Sequence, residues 1–380
     1  MAGRHEVDLF TLADDPADME RGPAVLRELC RRVTVVGLNP RLARLRSLPY
    51  LFTSAPLTIP YFGSQELRRQ IDEAVRHNSY DRVFVYCSAM AQYLTPAGIP
   101  VVIDLVDVDS DKWAQYASFS RLPMAAVYRR EAGALRRYER RVCENSAAVV
   151  VTTEREARLL TEIAPSARVH VIPNGVDTDY FQPPPCRSDA APPVIGFMGD
   201  MGYFPNQDAV TYFARKVLPL IRRSVADARF LIVGRNPSRE VRDLAAIDGV
   251  EVTGFVPDVR PHLARMRVSV APFSIAAGIQ NKILEAMSCE IPVVATPRAA
   301  QGLTPATAAI ADIADGPEEI ASRTARLLLD PGFAREKGRE SRRRVAADYN
   351  WERALDRLLE IVEQPSRTHS AAAGSSPVRP

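Results

Sequence analysis

The sequence predicts an α/β protein made of two Rossmann-like domains, each a doubly wound parallel sheet, that face each other across a cleft. Short apolar runs alternate with longer amphipathic stretches along the 380 residues, which is typical of parallel strands joined by helices. The runs fall into two series, and a proline-rich stretch separates them. The chain is also too long for one hydrophobic core, so two domains are expected. Ligands of such sheets bind beyond the carboxyl ends of the strands, where we therefore expect the functional residues.

The first series of apolar runs predicts six strands, at residues 7–12, 33–38, 82–87, 101–106, 147–152 and 169–172. Amphipathic stretches between them predict helices at 64–77, 122–146 and 154–164. Because the strands are apolar on both sides, helices should cover both faces of the sheet. We assign residues 1–180 to this first domain.

A linker is predicted at residues 181–193, which contain five prolines and few apolar side chains. The second series predicts a second domain over 194–346, with strands at 194–199, 230–234, 250–254, 268–273 and 292–296. Apolar residues then recur at helical spacing, which predicts a helix at 347–363 that crosses back to the first domain. Residues 364–380 are rich in serine, alanine and proline, and we expect them to be disordered.

The composition argues against several kinds of site. The net charge is +3 at pH 7, so nothing calls for a nucleic-acid partner. The five cysteines show no CxxC spacing and the five histidines are isolated, so neither structural zinc nor a histidine-ligated metal is expected. No apolar run approaches the roughly 20 residues that span a bilayer, and the first residues do not resemble a signal peptide. These features favour a cytoplasmic protein with reduced thiols.

The segment 278–287 is the strongest candidate for an anion-binding site. It follows the apolar run 268–273, so Gly278 is expected to open a helix at the carboxyl end of a strand. Backbone amides and the helix dipole favour anions at such a position. Lys282 and Glu285 can point along one face of the helix, which would place a cation near a phosphate and a carboxylate near sugar hydroxyls. A surface helix with an ordinary charge pair explains the same residues, and the segment alone does not decide between the two.

An acidic cluster follows the predicted strand 101–106 and consists of Asp104, Asp107, Asp109 and Asp111. Carboxylates at a strand end that face a cleft can orient or deprotonate an acceptor hydroxyl. Two alternatives stay open. Asp109 or Ser110 could cap the next helix, or the aspartates could hold a metal as a DxD motif.

Turn and cap signals predict further local structure. Asn174-Gly175 predicts a turn at the crossing between the domains. Asp258 is expected to cap the helix that follows residues 254–258.

The stretch 121–141 carries seven arginines interleaved with apolar residues. Such a segment can lie against the anionic inner face of the cell membrane, where a lipid-linked acceptor would be presented. It can equally form a solvated helix face with Glu131 and Glu139 as ion-pair partners. We favour the solvated face.

Several runs, taken in order along the chain, carry a family resemblance. They are Val-Ile-Pro-Asn-Gly-Val-Asp at 171–177, Phe-Met-Gly at 197–199, Gly-Phe-Val-Pro-Asp at 254–258 and the segment 278–287. Together they resemble the family 4 glycosyltransferases, which have the GT-B fold. More narrowly, residues 106–113 and 277–282 resemble the sugar transferases associated with PEP-CTERM/exosortase exopolysaccharide systems. The resemblance covers roughly residues 5–363.

The resemblance implies a nucleotide-diphosphate sugar as donor, a glycan or polyprenyl-linked acceptor, a retaining transfer, and neither a cofactor nor a bound metal. It makes Lys282 and Asp107 the catalytic candidates. The implied donor-binding residues are Gly199, Arg235, Phe255, Val256, Gly278, Ile279, Gln280, Asn281, Lys282 and Glu285. In this pattern Lys282 meets the diphosphate, Glu285 lies near the ribose, and the backbone at 255–256 meets the base.

The chain departs from the family's pattern in three places. Ala277 stands where the first glutamate of an E-x7-E motif is usual, and Asp200 stands where an arginine is common. The chain also begins at what resembles the family's second strand, so a first β-α unit is expected to be missing. A non-catalytic scaffold of a polysaccharide export system therefore stays open beside the enzyme. A nucleotide-sugar epimerase ranks below both, because its expected histidine and carboxylate constellation is not seen in the sequence.

Overall fold

A computed structural model describes residues 1–94, 98–184 and 192–364. The strands in these ranges are β1 Asp8–Ala13, β2 Arg32–Gly37, β3 Val83–Tyr86, β4 Val101–Asp104, β5 Ala148–Val151, β6 Val169–Val171, β7 Val194–Met198, β8 Arg229–Val233, β9 Val250–Val252, β10 Met266–Ala271, β11 Val293–Ala295 and β12 Asp312–Ile313. The α-helices of the first half are α1 Pro16–Arg27, α2 Pro40–Ser47, α3 Thr58–Tyr61, α4 Gln65–His77, α5 Asp109–Phe119, α6 Met124–Glu144 and α7 Glu154–Ile163. Those of the second half are α8 Phe204–Tyr212, α9 Leu218–Ile221, α10 Arg239–Asp243, α11 Arg260–Arg265, α12 Asn281–Ser288, α13 Pro297–Ala300, α14 Pro305–Ala308, α15 Gly316–Leu329, α16 Pro331–Asp348 and α17 Trp351–Glu363.

The second half of the chain forms one six-stranded sheet in the order β12-β11-β10-β7-β8-β9. All neighbouring strands are parallel. Every residue of β7 is buried, as expected for a strand that helices cover on both faces. All five strands that the sequence predicts here are present. Strand β12 was not predicted, because a strand of two residues leaves no readable periodicity.

The strands of the first half form two parallel sheets, one of four strands in the order β3-β4-β5-β6 and one of the pair β1-β2. The sequence predicts a single sheet for this domain, and the pair β1-β2 departs from that expectation. No residue of β1 or β2 is fully buried, whereas all four residues of β5 are. A side-chain hydrogen bond of 2.6 Å from Tyr80 Oη to Asp8 Oδ2 links the start of β1 to the segment before β3. The β1-β2 pair is therefore held to the rest of the domain by side chains and helices.

Strand β4 ends at Asp104, two residues before the predicted boundary. The amide of Asp107 donates to the carbonyl of Leu105 at 2.7 Å, which closes a tight turn around Val106. Val106 has a φ of 63°, and a β-branched residue adopts this region only under strain. The turn ends the strand and fixes the direction in which Asp107 leaves it.

The C-terminal helix α17 packs against the first sheet. Ile361 and Val362 share one hydrophobic cluster with Val102, Val150 and Ile172. Burying an aliphatic side chain of this size contributes roughly 1.5–3 kcal/mol. The chain thus crosses between its two halves twice, once after β6 and once before α17.

Part of the predicted linker and nearly all of the predicted disordered tail lie outside the described residues, at 185–191 and 365–380. Phe181, at the start of the linker, is attached to the second half. Its carbonyl accepts hydrogen bonds from Ser288 Oγ at 2.7 Å and from Arg342 Nη1 at 2.9 Å. No helix among the described residues combines the length and the apolar character that crossing a membrane requires.

Candidate active site

The loop between β10 and α12 lies at the carboxyl edge of the six-stranded sheet. Helix α12 begins at Asn281, three residues after Gly278, so the expectation that this glycine opens the helix is wrong. Gly278 has a φ of 58°, a conformation that costs other residues about 1–2 kcal/mol. A Cβ at this position would lie 2.2 Å from Oδ1 of Asp107. The glycine is needed because it lies directly against the first domain.

The first turn of α12 has no side-chain cap. Its N-cap residue, Gln280, instead donates Nε2 to the carbonyl of Ala277 at 3.0 Å. Asn281 Oδ1 accepts a hydrogen bond of 3.2 Å from Asn174 Nδ2. Ile279 is buried in the hydrophobic core of the second half, called here the second core. Because no side chain caps the turn, its amides are suited to an anion.

Lys282 extends from this turn between two phenylalanine rings. Its Nζ lies 5.0 Å from the ring centre of Phe197 and 4.6 Å from that of Phe273. Burial lowers the pKa of the Lys282 ammonium to about 8, although the charge of Glu285 opposes this shift. Among the described ion pairs, none involves Lys282. A desolvated cation without a carboxylate partner is a strong binding group for an anionic ligand.

Asn206 binds the ammonium and was not among the predicted site residues. Lys282 Nζ donates to Asn206 Oδ1 at 2.6 Å, and Asn206 Nδ2 donates to the carbonyl of Asp200 at 2.8 Å. A Cβ on Gly199 would lie 2.8 Å from Asn206 Nδ2 and 3.2 Å from Lys282 Nζ. The structure therefore brings Gly199, Asn206 and Lys282 together at the ends of β7 and β10. The only signal in the sequence was the position of Asn206 in the run after the first strand of the second domain.

The loops after β7 and β8 also touch each other. A Cβ on Gly234 would lie 1.7 Å from the carbonyl oxygen of Gly199. Arg235 Nε donates to Asp200 Oδ2 at 2.8 Å, and the arginine side chain is 66% exposed. Burial raises the pKa of Asp200, but hydrogen bonds from Gly202, Arg235 and Asn236 together leave it below its ordinary value. Arg235 thus neutralises Asp200, and its guanidinium stays near the loop that follows β7.

Glu285 lies one turn beyond Lys282 and is half-buried. Burial raises the pKa of its carboxyl group, and the charge of Lys282 works against that rise. Phe255 stands apart at the end of β9 and is 73% exposed, whereas Val256 packs against the second core. Within the described residues, no hydrogen bond or ion pair joins either of them to Lys282.

Asp258 binds the first turn of α11 but does not hold the N-cap position that was expected for it. Its Oδ1 accepts from the amide of Arg260 at 2.9 Å, although Val259 holds the N-cap position. The same oxygen accepts from Tyr180 Oη at 3.2 Å, and the Arg260 guanidinium lies 4.5 Å from the centre of the Tyr180 ring. This group ties the segment before the linker to the second half.

Asp107 projects from the strained turn of the first half toward Gly278. Its carboxyl group lies within hydrogen-bonding reach of Glu156, and burial raises the pKa of both groups, that of Glu156 to about 8. The charge of Lys112 opposes the rise at Asp107. Thr152 Oγ1 is 2.9 Å from Glu156 Oε2 and 3.0 Å from the carbonyl of Val106. Two buried carboxyl groups in contact cannot both be ionised at low cost, so the pair holds a proton near neutral pH.

The other aspartates of the cluster have separate structural roles. Asp104 Oδ1 accepts from the amide of Val106 at 3.0 Å, and Asp109 Oδ2 accepts from Ser88 Oγ at 2.6 Å. Asp111 pairs with Arg155 at 2.8 Å. No group of three or more histidine, cysteine and acidic side chains that could hold a metal ion occurs in the described ranges.

The alternative that Asp109 or Ser110 caps α5 is wrong. Val108 occupies the N-cap position and no side chain caps the helix. The amide of Ser110 donates instead to Glu139 Oε1 at 2.9 Å. A buried carboxylate on a neighbouring helix thus satisfies an amide of the first turn.

Two of the three acidic residues of α6, Glu131 and Glu139, are buried inside the first half. Glu131 accepts hydrogen bonds from the amides of Leu57 and Thr58 at 2.7 and 2.9 Å. It pairs with Arg130 at 3.1 Å, whereas Glu139 binds Ser110. Because both glutamates are buried, the expectation that they lie on a solvated helix face is wrong. Burial raises the pKa of Glu139 to about 7.

The first crossing between the halves forms no turn at Asn174-Gly175, where one was expected. A Cβ on Gly175 would lie 2.4 Å from the ring of Trp351 and 2.8 Å from its Cα. The amide of Val176 donates to the carbonyl of Tyr349 at 2.9 Å. The glycine is required by the close approach of the second crossing, so the turn prediction at this position is wrong.

Comparison with known proteins gives a family match for each half. Residues 1–175 match the glycosyl transferase 4-like domain, and residues 192–330 match glycosyl transferases group 1. Among solved structures, HepE of Anabaena in complex with UDP and glucose superposes with a TM-score of 0.63 at 14% identity, over 93% of this chain and 99% of that one. At that identity the likeness shows the fold alone.

Two curated relatives are similar in sequence. A GDP-mannose-dependent α-(1-6)-phosphatidylinositol monomannoside mannosyltransferase of Mycolicibacterium smegmatis is 28% identical over 64% of this chain and 66% of its own length. A D-inositol 3-phosphate glycosyltransferase of Jonesia denitrificans is 29% identical over 62% of this chain and 60% of its own length. The chain thus spans a little under two thirds of the relatives it matches. Each half of the chain thus matches a glycosyltransferase family model, a glycosyl transferase 4-like domain followed by a group 1 domain, and the chain has the GT-B fold.

Proposed function

We propose that this protein transfers a sugar from a nucleotide-diphosphate donor to a glycan or polyprenyl-linked acceptor, with retention at the anomeric carbon. The observation that carries the proposal is the Lys282 ammonium, which lies at the strand ends of the second sheet and has Asn206 as its hydrogen-bond partner. It lies beside the uncapped start of α12. Leaving-group charge on a diphosphate is stabilised by such fixed donors.

The donor would lie along the carboxyl edge of the second sheet. In this arrangement Lys282, Gly199 and Arg235 meet the diphosphate, and residues 278–281 hold the sugar. Glu285 receives the ribose, and the backbone at Phe255 and Val256 meets the base. Asp107 then faces the transferred sugar from the first domain, because it packs directly against Gly278 of that segment.

Asp107 is the group proposed to orient the acceptor hydroxyl. A carboxyl group that shares a proton with Glu156 near neutral pH can accept a hydrogen bond and exchange a proton. We place the reaction in exopolysaccharide biosynthesis, as a metal-independent cytoplasmic transferase. The resemblance to the PEP-CTERM-associated sugar transferases supports this placement.

Calorimetry with UDP, GDP and their sugar conjugates tests the donor site. Binding of one nucleotide with a stoichiometry near one is expected. Absence of heat with well-folded protein would falsify the donor assignment. The names of the relatives and of the structural neighbour make GDP and UDP the first nucleotides to compare.

A turnover assay separates the enzyme from a binding scaffold. With nucleotide sugar alone, the enzyme transfers the sugar slowly to water and releases the nucleotide. With a polyprenyl-linked or glycan acceptor present, the nucleotide is released faster. A scaffold binds the donor and releases no nucleotide under either condition. Proton NMR of the product's anomeric centre then reports whether the configuration is retained.

A further inference from the structure

The first domain contains a long stretch without acidic residues. Between Glu28 and Glu66 the sequence holds five arginines and neither aspartate nor glutamate. Helix α2 and the 3-10 turn Leu48–Phe52 form the middle of this stretch. The stretch is therefore a local concentration of positive charge in a chain whose net charge is only +3.

Helix α2 and the turn expose an apolar stripe. Leu42, Leu45, Leu48 and Phe52 recur at spacings of three or four residues and all face solvent, with Leu45 62% and Phe52 94% exposed. The opposite side of the helix is buried, at Ala43 and Ser47. Single exposed leucines are ordinary, but a contiguous row of large apolar side chains marks an interaction surface.

Unpaired arginines flank the stripe. Arg41, Arg44 and Arg46 are all exposed, and none of the described ion pairs includes them. Exposed apolar side chains flanked by cations are complementary to an anionic lipid bilayer, which has a hydrocarbon interior and negatively charged headgroups. A nucleic acid would match the charge and leave the leucines without partners.

A groove beside the stripe has room for a headgroup. Its volume is about 1130 Å³, and Arg46 and Tyr50 line it together with Arg68, Arg137 and Arg141. Within the described part of the chain, no ion pair neutralises Arg68, Arg137 or Arg141. The positive surface thus continues from the stripe into the groove.

Helix α6 carries more arginines, but beyond its first turn its apolar face is used by the core. Leu135 is fully buried, and Val142 and Cys143 lie in the first core. A helix whose apolar side is used by the core offers only charge to a membrane, and charge alone binds weakly and is screened by salt. The exposed apolar residues near α6 are Leu122 and Met124, at its start, and they do not continue along the helix as the row on α2 and its turn does.

We propose that residues 40–52 form a docking surface for an anionic lipid bilayer. The leucines and Phe52 enter the boundary between headgroups and acyl chains, and the three arginines remain at the level of the phosphates. The inference goes beyond sugar transfer and does not depend on it.

Flotation of the full chain with vesicles tests the docking surface. The protein should float with phosphatidylcholine mixed with phosphatidylglycerol and stay below with phosphatidylcholine alone. Exchanging all three arginines, as Arg41→Gln, Arg44→Gln and Arg46→Gln, should weaken binding by about fivefold for each, or roughly 100-fold together. The apolar variant Leu42→Ser with Leu45→Ser and Phe52→Ser should not float detectably.

Two matched controls accompany these variants. Leu329→Ser removes an equally exposed leucine from α15, and Arg129→Gln with Arg136→Gln and Arg140→Gln removes three charges from α6. Both should float as the wild type does. Thermal melting and nucleotide binding report whether each variant is folded. If the wild type binds no nucleotide, thermal melting alone is the control for folding, and the flotation result still tests the docking surface.

Three outcomes would overturn the proposal. The proposal fails if the wild type is recovered only below the anionic vesicles, if the α2 variants float unchanged, or if the α6 variant loses binding as strongly as they do. Sedimentation velocity adds a fourth, because a dimer that Leu45→Ser dissociates would assign the stripe to a second copy of the chain.

Discussion

Lys282 and Asn206 are joined by a hydrogen bond of 2.6 Å from the ammonium Nζ to the amide Oδ1, although they lie 76 positions apart in the chain. The bond links the helix after β7 to the helix after β10. It holds a cation whose charged form is disfavoured by burial. An arriving diphosphate would meet that cation already in place, so little reorganisation is needed when charge develops on the leaving group.

Replacing Lys282 tests this role. Lys282→Ala should lower the rate of sugar transfer by about 100- to 1000-fold, which is typical for the loss of one preorganised donor. Initial rates with saturating donor measure the effect, and thermal melting verifies that the variant is folded. Lys216→Ala, which removes an exposed lysine of the same domain, serves as the control and should transfer at the wild-type rate. Equal rates for the two variants would remove Lys282 from the site.

A carboxylate at position 206 should compete with the donor. Asn206→Asp places a negative charge beside the Lys282 ammonium, so the affinity for UDP or GDP should fall by about 10- to 100-fold, since opposing like charges costs several kcal/mol. Calorimetry measures the change. Gln207→Glu adds the same charge one residue along the helix and should leave affinity nearly unchanged. Undiminished affinity in Asn206→Asp would mean that the diphosphate binds elsewhere.

A side chain at Gly278 should disturb the contact between the domains. Gly278→Ala combines an unfavourable φ, worth about 1–2 kcal/mol, with a collision against Asp107. Gly316→Ala carries a similar φ of 76° with no atom within 4 Å of its Cβ, so it measures the backbone cost alone. Urea unfolding should therefore show a larger loss for Gly278→Ala. In the background of Asp107→Ala the excess should shrink, and an unchanged excess would contradict the contact.

The pair of Asp107 and Glu156 should make stability depend on pH. The pKa of Glu156 rises from 4.5 to about 8, so between these values the folded chain binds more protons than the unfolded chain. Stability therefore falls as pH rises through this window. Glu156→Gln should flatten that fall, because an amide keeps the contact with Thr152 and does not ionise.

Urea midpoints at three pH values across the window measure this dependence. Glu162→Gln, on the exposed side of the same helix, is the matched control and should follow the wild type. A pH profile of Glu156→Gln that matches the wild type would show that the two carboxyl groups do not share a proton.

The sequence was sufficient for features that depend on local pattern. The strands of the second domain, helix α4 and the position of Lys282 near a strand end follow from apolar periodicity and from neighbouring residues. The sequence did not show Asn206 as the partner of Lys282, because their contact depends on how two helices pack. It also misplaced the start of α12, since the φ of Gly278 serves a contact with the other domain.

The β1-β2 pair shows the same limit. Both strands were predicted at nearly their observed bounds, but strand pairing is a long-range property that apolar runs do not encode. The turn at Val106 was missed for a different reason. Valine carries no turn signal, and its strain is sustained by the surrounding contacts of Thr152 and Leu105.

The contact of Gly175 with Trp351 has a mechanical consequence. The outgoing and returning segments run side by side there, with the amide of Val176 bound to the carbonyl of Tyr349. Two connections that lie side by side allow the halves to rotate about one axis, and they resist twisting and sliding of one half against the other. A ligand that drew the halves together would therefore bring the same two surfaces face to face.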